Sequence, residues 1–495
     1  MISEKLMKAR AYEAENEKKI TPEMRPVFHL TPRVGWMNDP NGFSYYKGQY
    51  HMFYQYYPYK PFWGPMHWGH AVTKDLVHWS YLPTALAPDE PYENGGGCFS
   101  GSAVELPDGR QMLVYTGVLS EKQPDGSMHG LQQQCVAVGD GENYQKYEKN
   151  PVMTAEQLPK DCNRFDFRDP KAWQVEDGSY RCVMVYCDKD GDGSAVLFES
   201  KDGFSWNFKS VLAKNNGRFG KMWECPDFFT LDGKHVLIVS PMEMEAEGLE
   251  YPNGHGVVCQ MGNFDEKTGS FTCEQAHTVD YGIDFYAPQS VLTPDGRRVM
   301  IGWMQNWAFV TQHSEKEPWF AQMATPRELS IRDGRLIQRP IRELDVCRKN
   351  EVSYKDVCVS GEQTFEGIKG RVVDIELTLS PESDANLYRM FEIRFAQNDK
   401  HYTALRYRPY ESELTIDRKY SNSRNAFIHE RSCKVRENEG QIELRILVDR
   451  FSAEVFVNGG EQVMSVTFTT EQDADQISFV ADGAVVMDVT KYDIQ

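Results

Sequence analysis

The sequence predicts an all-β chain, built as a five-bladed β-propeller followed by a C-terminal β-sandwich. Three observations lead to this prediction. Turn sequences recur along the first two thirds of the chain, an apolar run follows each turn, and the pattern changes after Leu344. We place a helical extension at residues 1–24, the propeller at 25–345 and the sandwich at 350–495.

The N-terminal segment, MISEKLMKARAYEAENEKKI, is charged throughout and rich in helix formers, with Ser3 as a candidate cap. It has no apolar core of the kind that a signal peptide needs, so we expect one short surface helix. No run in the sequence is long and apolar enough to span a bilayer. These features predict a cytoplasmic protein.

Five hairpin turns divide the propeller region. Glycine tolerates the positive φ that tight hairpin turns require. The run after each turn, such as Met112-Leu113-Val114-Tyr115, has the composition of a strand. Five similar units of this period predict a propeller with long loops. The turn glycines, 55 to 69 residues apart, are Gly48, Gly109, Gly178, Gly233 and Gly296.

A fixed offset within these units selects acidic residues. Nine residues before the turn glycines stand Asp39, Ser100, Asp169, Glu224 and Ala287. Each position comes just before the first strand of a hairpin, and the innermost strands of a propeller line its central channel. The spacing alone therefore predicts that three carboxylates, far apart in sequence, meet at one mouth of the channel.

After Leu344 the apolar residues alternate strictly, as in Val373–Leu377, Phe391–Phe395 and Ile442–Ile446. Such alternation is typical of half-buried antiparallel strands with one wet face. The stretch Glu454–Gly459 ends another strand at a hairpin. We interpret this region as a separate β-sandwich.

Charge and cysteine content exclude several classes of partner and setting. The formal net charge of −19 opposes binding to nucleic acid or to anionic membrane surfaces. The 11 cysteines are scattered and form no CxxC pair, which argues against a disulfide framework. Reduced thiols in the cytoplasm fit this distribution better.

Three short motifs contain the acids: Trp36-Met37-Asn38-Asp39-Pro40-Asn41-Gly42, Phe167-Arg168-Asp169-Pro170 and Trp223-Glu224-Cys225-Pro226-Asp227. Taken singly, each has a structural explanation, namely a turn, an Arg–Asp surface pair and a loop with a solvated acid. Their common register in the repeat argues against all three explanations together.

In this order the motifs resemble those of glycoside hydrolase family 32, the invertase, fructanase and sucrose-6-phosphate hydrolase family. Four further segments add to the resemblance: Phe53–Tyr56, Trp63–His70, Phe99–Ser102 and Gly302–Trp303. It is strong over residues 25–345 and looser over the sandwich, where Asp449–Phe456 matches. The resemblance implies a five-bladed propeller with a sandwich. It also implies a retaining hydrolase that releases terminal β-linked fructose from sucrose and short fructooligosaccharides.

The resemblance also implies roles for single residues. Asp39 matches the nucleophile, Glu224 the general acid/base, and Asp169 the aspartate that binds fructose hydroxyls and stabilises the transition state. The residues expected to line the substrate site are Trp36, Asn38, Gln55, Trp63, Phe99, Ser100, Arg168, Tyr286 and Trp303.

Retaining hydrolysis requires one ionised and one protonated carboxyl group, about 5–5.5 Å apart, and no cofactor. We expect Asp39 to stay ionised among turn amides and hydroxyl donors. Glu224, beside Trp223 and Cys225, is expected to stay protonated. The pair His67 and His70 has no acidic or cysteine partner at ligand spacing, so we interpret it as structural and predict no metal.

Three alternatives remain open at the sequence level. The first is a sucrose-6-phosphate hydrolase, with Lys60, Arg297, His313 and Lys316 as candidate phosphate ligands. The second is an inverting arabinan- or xylan-cutting propeller, against which the complete first and third motifs argue. The third is a propeller that binds sugar without cutting it, for which a carboxylate should be missing. Fructosyl transfer in place of hydrolysis is a further alternative, as a side activity.

Overall fold

A computed structural model describes residues 2–160, 162–308, 310, 317–383, 387–423 and 426–495. The structure confirms the predicted all-β class and the order of propeller and sandwich. Its described residues contain one α-helix, α1 (Glu4–Asn16). Short 3₁₀ helices occupy Glu17–Lys19, Pro22–Met24, Pro91–Glu93, Ala155–Gln157, Arg342–Cys347 and Pro409–Glu411.

Five sheets form the propeller, each beginning with the strand nearest the channel. Blade 1 contains β1 (Gly35–Tyr46), β2 (Gln49–Tyr57), β3 (His67–Thr73) and β4 (Ser80–Leu86). Blade 2 contains β5 (Gly97–Glu105), β6 (Gln111–Lys122), β7 (Met128–Gly139) and β8 (Tyr144–Lys146). Blade 3 contains β9 (Cys162–Gln174), β10 (Tyr180–Asp188), β11 (Gly193–Ser200) and β12 (Trp206–Lys214).

Blade 4 contains β13 (Trp223–Leu231), β14 (Lys234–Pro241), β15 (Val258–Asp265) and β16 (Ser270–Thr278). Blade 5 begins with β17 (Tyr286–Leu292) and β18 (Arg298–Trp303). The chain then forms the two-residue strand β19 (Trp319–Phe320) before it completes blade 5 with β20 (Arg327–Arg332) and β21 (Arg335–Pro340).

Strand β19 closes the ring of blades. It lies in sequence within the fifth blade, but it pairs in parallel with β1 of the first, with Gly35 opposite Trp319 and Trp36 opposite Phe320. The main chain therefore ties the last blade to the first through backbone hydrogen bonds.

The turns between the first two strands of each blade have the conformation that their glycines predict. All five turn glycines have a positive φ between 78° and 86°. In the turns of blades 1 and 4 the preceding residues, Lys47 and Asp232, also have positive φ. Two successive positive φ values are typical of the tight hairpin turns whose twist matches that of the strands.

Each inner strand breaks its pairing with the next strand at an equivalent depth. The register shifts fall between residues 37 and 40, 99 and 101, 168 and 171, 224 and 227, and 286 and 289. Such a β-bulge bends the strand and redirects a side chain. The five positions selected by the nine-residue offset all lie at these bulges, which face them into one mouth of the channel.

Helix α1 is fixed to the outer strand of blade 1. The Ser3 hydroxyl oxygen accepts the N–H of Leu6 at 3.1 Å, as the predicted cap requires. On the buried side of the helix, the Glu13 carboxylate accepts bonds from the N–H and the hydroxyl of Thr84 at 2.9 and 2.7 Å. The helix therefore adds a buried polar anchor to the first blade instead of lying free on the surface.

The sandwich follows without a long linker, since β21 ends at Pro340 and the next strand begins at Arg348. Its strands are β22 (Arg348–Gln363), β23 (Val373–Pro381), β24 (Met390–Gln397), β25 (Thr403–Arg408), β26 (Glu413–Asp417), β27 (Glu430–Lys434), β28 (Ile442–Asp449), β29 (Ser452–Val457), β30 (Gln462–Thr467) and β31 (Gln476–Ile494). The long strand β31 pairs with β24 in its first part and with β23 in its second, so one strand joins both layers.

A buried ionic network joins the two domains. His29 of the propeller lies between two acids of the sandwich, with Nδ1 2.8 Å from Asp449 Oδ2 and Nε2 3.1 Å from Glu454 Oε1. Arg327 Nη2 donates to Glu454 Oε2 at 2.7 Å and to Asp280 Oδ2 at 3.0 Å. The motif around Asp449, which resembles the family in the sandwich, thus supplies the contact between the domains.

Candidate active site

Three carboxylates meet where the inner strands of blades 1, 3 and 4 enter the channel. The residue after Glu224 contacts both aspartates, because the N–H of Cys225 donates to Asp169 Oδ2 at 2.9 Å and Cys225 Sγ lies 3.6 Å from Asp39 Oδ2. The side chains of Asp39, Asp169 and Glu224 therefore come together, as the repeat spacing predicts.

The backbone of these strands is in an uncommon conformation at the site. Asp169, Cys225 and Ala287 have φ values of 63°, 47° and 51°, which side chains other than glycine rarely adopt. Each such residue costs about 1–3 kcal/mol, and residues of this kind cluster at functional sites. Because all three lie at bulges of inner strands, the conformation points their neighbours into the channel.

Asp39 has few hydrogen-bond donors for its charge. Ser100 Oγ donates to its Oδ2 at 3.0 Å, while Oδ1 is buried and has no partner among the described residues. Burial, followed by repulsion from Glu224 and Asp169, raises the pKa of Asp39 to about 7, and bonds from Asn38 and Ser100 oppose this shift. The expected cage of turn amides is not what the structure shows, and few donors oppose the effect of burial on the pKa of Asp39.

Arg168 is the cation of the cluster. Its Nη2 donates to Glu224 Oε1 at 3.2 Å, and its Nε lies 3.8 Å from Asp169 Oδ2. Its Nη1 donates to Asp166 Oδ1 at 3.0 Å and to Gln132 Oε1 at 3.2 Å. Burial raises the pKa of Asp169 to about 6 even though the charge of Arg168 opposes the shift.

Tyr286 connects Glu224 to the backbone of β14. Its hydroxyl oxygen lies 2.6 Å from Glu224 Oε2 and 3.0 Å from the carbonyl oxygen of Ser240. The hydroxyl has one proton, and a carbonyl oxygen only accepts. If that proton points to Ser240, then the contact with Glu224 is a hydrogen bond only when Glu224 carries a proton itself.

Aromatic side chains form one wall of the site. Trp36 packs against Trp307 at 5.7 Å, against Phe320 at 5.2 Å and against Trp303 at 6.1 Å between ring centroids. Trp303 is fully buried behind Trp36, so its expected contact with a sugar remains a prediction. On the other side, Trp63 is 48% exposed and meets Phe99 edge to face at 6.3 Å.

The other predicted residues take part in the hydrogen bonding of the mouth. Asn38 Oδ1 accepts from Trp36 Nε1 at 2.8 Å, and Gln55 Nε2 donates to the carbonyl oxygen of Cys98 at 3.0 Å. The second of these bonds holds the segment just before Phe99 and Ser100. The structure thus places these predicted residues at one mouth of the channel.

The sequence argument missed several residues around the acids, including Asp166, Gln132, Trp307 and Phe320. Asp166 could have been found, because it is two residues before Arg168 and alternate residues of a strand share a face. Phe320 reaches the site only through the pairing of β19 with β1, for which the sequence contains no signal.

His67 and His70 make hydrogen bonds within blade 1. His67 Nδ1 lies 2.8 Å from the carbonyl oxygen of Pro65, and His70 Nε2 lies 3.0 Å from His51 Nδ1. Burial lowers the pKa of His67 to about 4, which keeps the ring neutral. Within the described ranges, no group of histidine, cysteine, aspartate or glutamate side chains is arranged to hold a metal ion.

Over the part of the chain that the structure describes, no helix has the length and apolar character needed to cross a membrane.

Comparison with known proteins relates the whole chain to one family. Residues 29–340 match the N-terminal domain of glycosyl hydrolases family 32, and residues 343–495 match its C-terminal domain. A sucrose-6-phosphate hydrolase of Zymomonas mobilis is 35% identical over 98% of this chain and 95% of its own length. A raffinose invertase of Escherichia coli is 36% identical over 92% of both chains.

Solved structures show the same architecture. A family 32 β-fructofuranosidase of Bombyx mori superposes with a TM-score of 0.82 at 32% identity and covers 99% of this chain and 98% of its own. A mutant of that enzyme in complex with sucrose superposes equally well, with a TM-score of 0.82. A sucrose-6-phosphate hydrolase of Lactobacillus gasseri also reaches a TM-score of 0.82, at 26% identity over 99% of this chain and 96% of its own.

Proposed function

Since the chain belongs to glycosyl hydrolase family 32, we propose that it is a retaining β-fructofuranosidase acting on sucrose and short fructooligosaccharides. The resemblance inferred from the sequence motifs is thereby confirmed, and the protein is a glycoside hydrolase. The observation that supports the proposed chemistry most strongly is the meeting of three carboxylates around Cys225 and Arg168.

In the proposed first step, a carboxylate oxygen of Asp39 attacks the anomeric carbon of fructose. Glu224 gives its proton to the glycosidic oxygen, so that the leaving sugar departs as a neutral alcohol. In the second step Glu224 takes a proton from water, which attacks the fructosyl–Asp39 ester and restores both groups. Asp39 therefore needs to be ionised and Glu224 protonated when the substrate binds.

Contacts of the two acids support this assignment. The repulsion from Glu224 is one cause of the raised pKa of Asp39, so a proton on Glu224 removes that repulsion and favours the ionised nucleophile. A proton on Glu224 also satisfies Tyr286, whose own proton is then free for the carbonyl oxygen of Ser240.

Asp169 and Arg168 are proposed to hold the fructose ring. The carboxylate of Asp169 has a fixed orientation, because the N–H of Cys225 donates to it. The backbone of Asp169 is also held, since its N–H donates to Thr116 Oγ1 at 3.0 Å. A carboxylate fixed in this way can accept hydrogen bonds from sugar hydroxyls that strengthen in the transition state. Trp36, Asn38, Gln55, Ser100 and Trp303 are proposed to complete the fructose subsite.

Trp63 and Phe99 are proposed to contact the leaving sugar. Trp63 is exposed at the mouth, and an exposed indole ring offers an apolar face for a sugar ring. A site of this form accepts one terminal fructose, so digestion of an inulin-type oligosaccharide should release free fructose from the start. Early internal fragments without fructose would contradict exo-action.

The narrower alternative is a hydrolase of sucrose 6-phosphate, the activity named for relatives in Zymomonas mobilis and Bacillus subtilis. Of its candidate phosphate ligands, Arg297 is unsuitable. It follows the turn at the far end of the β17–β18 hairpin and forms ion pairs with Asp295, Glu328 and Glu343. His313 and Lys316 lie outside the described residues, and Lys60 is exposed on the loop that also carries Trp63.

Comparison of kcat/KM on sucrose and on its 6-phosphate decides between the two substrates. We expect sucrose to be hydrolysed with the higher kcat/KM. A preference of more than about tenfold for the phosphorylated sugar, equal to about 1.4 kcal/mol, would favour the alternative. Retention of configuration in the released fructose, followed by NMR, separates both from an inverting propeller hydrolase.

The proposed setting is the cytoplasm. None of the described cysteines forms a disulfide bond, and most of them are buried. Free thiols persist in reducing compartments. Titration of the native, unreduced protein should therefore find the thiols reduced, and full activity should persist under reducing conditions. Recovery of most cysteines as disulfides would contradict this setting.

A further inference from the structure

A second cavity opens at the mouth of the propeller opposite the three acids. It has a volume of about 1600 Å³, and its lining includes none of the residues assigned above to catalysis or to the fructose subsite. Gln289 lies between the two regions, where its amide donates to the carbonyl oxygen of Gly101 at 2.7 Å and accepts the N–H of Phe43 at 3.3 Å. The cavity is therefore a separate feature of the channel.

Four polar residues lie at the inner end of this cavity. Lys171 is on β9, two residues or about 7 Å along the strand from Asp169. Asp227 is on β13, Ser290 on β17 and Arg298 on β18. Lys171 Nζ donates to the carbonyl oxygen of Ser290 at 2.8 Å and lies 3.7 Å from Asp227 Oδ1. The Ser290 N–H donates to Asp227 Oδ2 at 2.5 Å.

Several polar atoms of this cluster have no hydrogen-bond partner among the described residues. They are Asp227 Oδ1, Ser290 Oγ and Arg298 Nε, and all three atoms are buried. The guanidinium of Arg298 lies over the ring of Phe229, 4.7 Å from its centroid. Buried polar atoms without partners are costly and uncommon in proteins, so three of them in one cavity indicate a polar ligand.

The charges define the chemistry of that ligand. Lys171 and Arg298 carry two positive charges against the single negative charge of Asp227, so the inner end of the cavity is net positive, although the lining as a whole has more acids than cations. Burial lowers the pKa of both cations, and a bound anion would offset that cost. Asp227 Oδ1 has the charge of Lys171 3.7 Å away but accepts no hydrogen bond from the described residues, so an anion with a proton on one oxygen can donate to it.

We propose that the distal cavity binds a phosphate group, either inorganic phosphate or the phosphate of a small sugar ester, between Arg298, Lys171 and Asp227. Unprotonated phosphate oxygens accept from Arg298 and Lys171, and a protonated oxygen donates to Asp227 Oδ1. Ser290 Oγ can act as donor or acceptor. Sulfate has no proton at neutral pH, so it leaves Asp227 unsatisfied and should bind more weakly.

Acidic residues at the outer rim of the cavity do not prevent the binding of phosphate. Glu176 and Asp177 belong to the exposed turn between β9 and β10, and Glu105 is exposed at the end of β5. At physiological ionic strength the charges of exposed groups are screened over about 8 Å. Arg181, which also lines the cavity, is already paired with Glu266 and Glu199, so it adds little to the attraction.

Isothermal titration of the full chain with inorganic phosphate, a hexose 6-phosphate and sulfate tests the proposal. We expect saturable binding of phosphate or of the ester, at least tenfold tighter than sulfate. The tighter of the two phosphates identifies the source of the group. Arg298→Gln should raise the Kd about tenfold or more, while Arg298→Lys should retain part of the binding.

Arg181→Gln is the matched control, because it removes an arginine of the same cavity whose guanidinium is already paired. Its Kd for phosphate should equal that of the wild type. Sucrose hydrolysis should be unchanged in Arg298→Gln, which shows that this variant is folded. Absence of saturable phosphate binding, or equal Kd values in the wild type and Arg298→Gln, would overturn the proposal, and neither result would affect the proposed hydrolase activity.

Discussion

The protein contains two groups of buried acids, one at the channel mouth and one between the domains. The pKa is shifted upward for Asp39 in the first group and downward for Glu454 in the second. At the mouth, burial and mutual repulsion raise the pKa of Asp39 to about 7. Between the domains, burial also acts on Glu454, but the charge of Arg327 and the bond with His29 more than offset it and lower its pKa to about 2. The difference therefore comes from the cations and donors around each acid, and burial alone does not decide it.

The comparison shows how one protein uses buried charge for two purposes. Asp449 accepts from the N–H groups of Val27 and Phe28 in addition to His29, so its negative charge is fully paired. Ser100 donates to Asp39 Oδ2, but Oδ1 is buried and has no partner in the part of the chain that the structure describes, so the charge of Asp39 is poorly stabilised. A poorly stabilised carboxylate is a better nucleophile, and the stability lost there is the usual cost of a functional site.

The largest expected difference between the acids at the mouth and those between the domains is in catalytic activity. Asp39→Asn should lower kcat on sucrose by about 10⁴-fold or more, because the variant has no nucleophile to form the covalent intermediate. Asp449→Asn is the matched change at the interface. Measured on the folded fraction at a temperature well below unfolding, its kcat should stay within about fivefold of the wild type, since a 1 kcal/mol change corresponds to roughly that factor. Equal losses in both variants would remove the distinction.

The free energy of unfolding should depend strongly on the acids between the domains, in contrast to the activity. Glu454→Gln removes the acid that pairs with both Arg327 and His29, and it leaves buried charge without compensation. Breaking a buried pair in this way costs about 3–5 kcal/mol, measured as the free energy of unfolding in urea at pH 6. Glu461→Gln on the same domain serves as the control, because its partner Arg332 is 43% exposed. A loss below about 1 kcal/mol for Glu454→Gln would show that the network contributes little.

Asp39→Asn should stabilise the fold at alkaline pH. The pKa of Asp39 rises from its ordinary value of 3.8 to about 7 on folding, so the wild type loses stability as pH increases through this range. At pH 8 the variant should be more stable by up to roughly 2 kcal/mol, a figure reduced for partial solvent exposure of the side chain. At pH 4 the two proteins should unfold alike. A variant that is less stable at pH 8 would contradict the raised pKa.

The smallest effect is the pH dependence of the interface. Burial alone would lower the pKa of His29, but bonds with Asp449 and Glu454 raise it from 6.5 to about 9. This contribution is fully present below pH 6.5 and is lost as pH rises towards 9. Glu454 contributes above its ordinary value of 4.5 and loses its contribution as pH falls towards 2. Unfolding of His29→Gln measured between pH 5 and 9 should therefore lack part of the alkaline decline.

The sequence predicted the placement of the acids better than their surroundings. The nine-residue offset succeeded because each inner strand runs from the same mouth to a hairpin turn with a positive-φ glycine, so equal spacing means equal depth. It could not predict the bulges that turn Asp39 and Glu224 inward, since a bulge depends on the pairing of two strands. Nor could it predict the raised pKa of Asp39, which depends on atoms from its own blade and three others.

Contacts between residues far apart in sequence explain the other features that the sequence did not predict. Trp36 packs against Phe320 because β19 returns to blade 1, a contact between residues far apart in sequence. Arg297 was a candidate phosphate ligand by charge alone, but its three acidic partners appear only once the strands are assembled. The interface network was likewise hidden, because His29 and Glu454 belong to different domains.

The division of labour between Asp39 and Glu224 is tested most directly by comparing two variants on two substrates. The proton donor is needed for the poor leaving group of sucrose, and general acid catalysis supplies about 10²–10⁴-fold. Glu224→Gln should therefore be slow on sucrose, yet largely rescued in the first step on a fructoside with an acidic leaving group. Asp39→Asn should lose the same factor in rate on both substrates.

The quantity to measure is the ratio of the rates on the activated fructoside and on sucrose, for each variant relative to the wild type. We predict a ratio raised by about 10²-fold or more for Glu224→Gln, with further acceleration by azide, and a ratio near that of the wild type for Asp39→Asn. Rescue of Asp39→Asn in place of Glu224→Gln would contradict the account, because the nucleophile and the acid would then be exchanged.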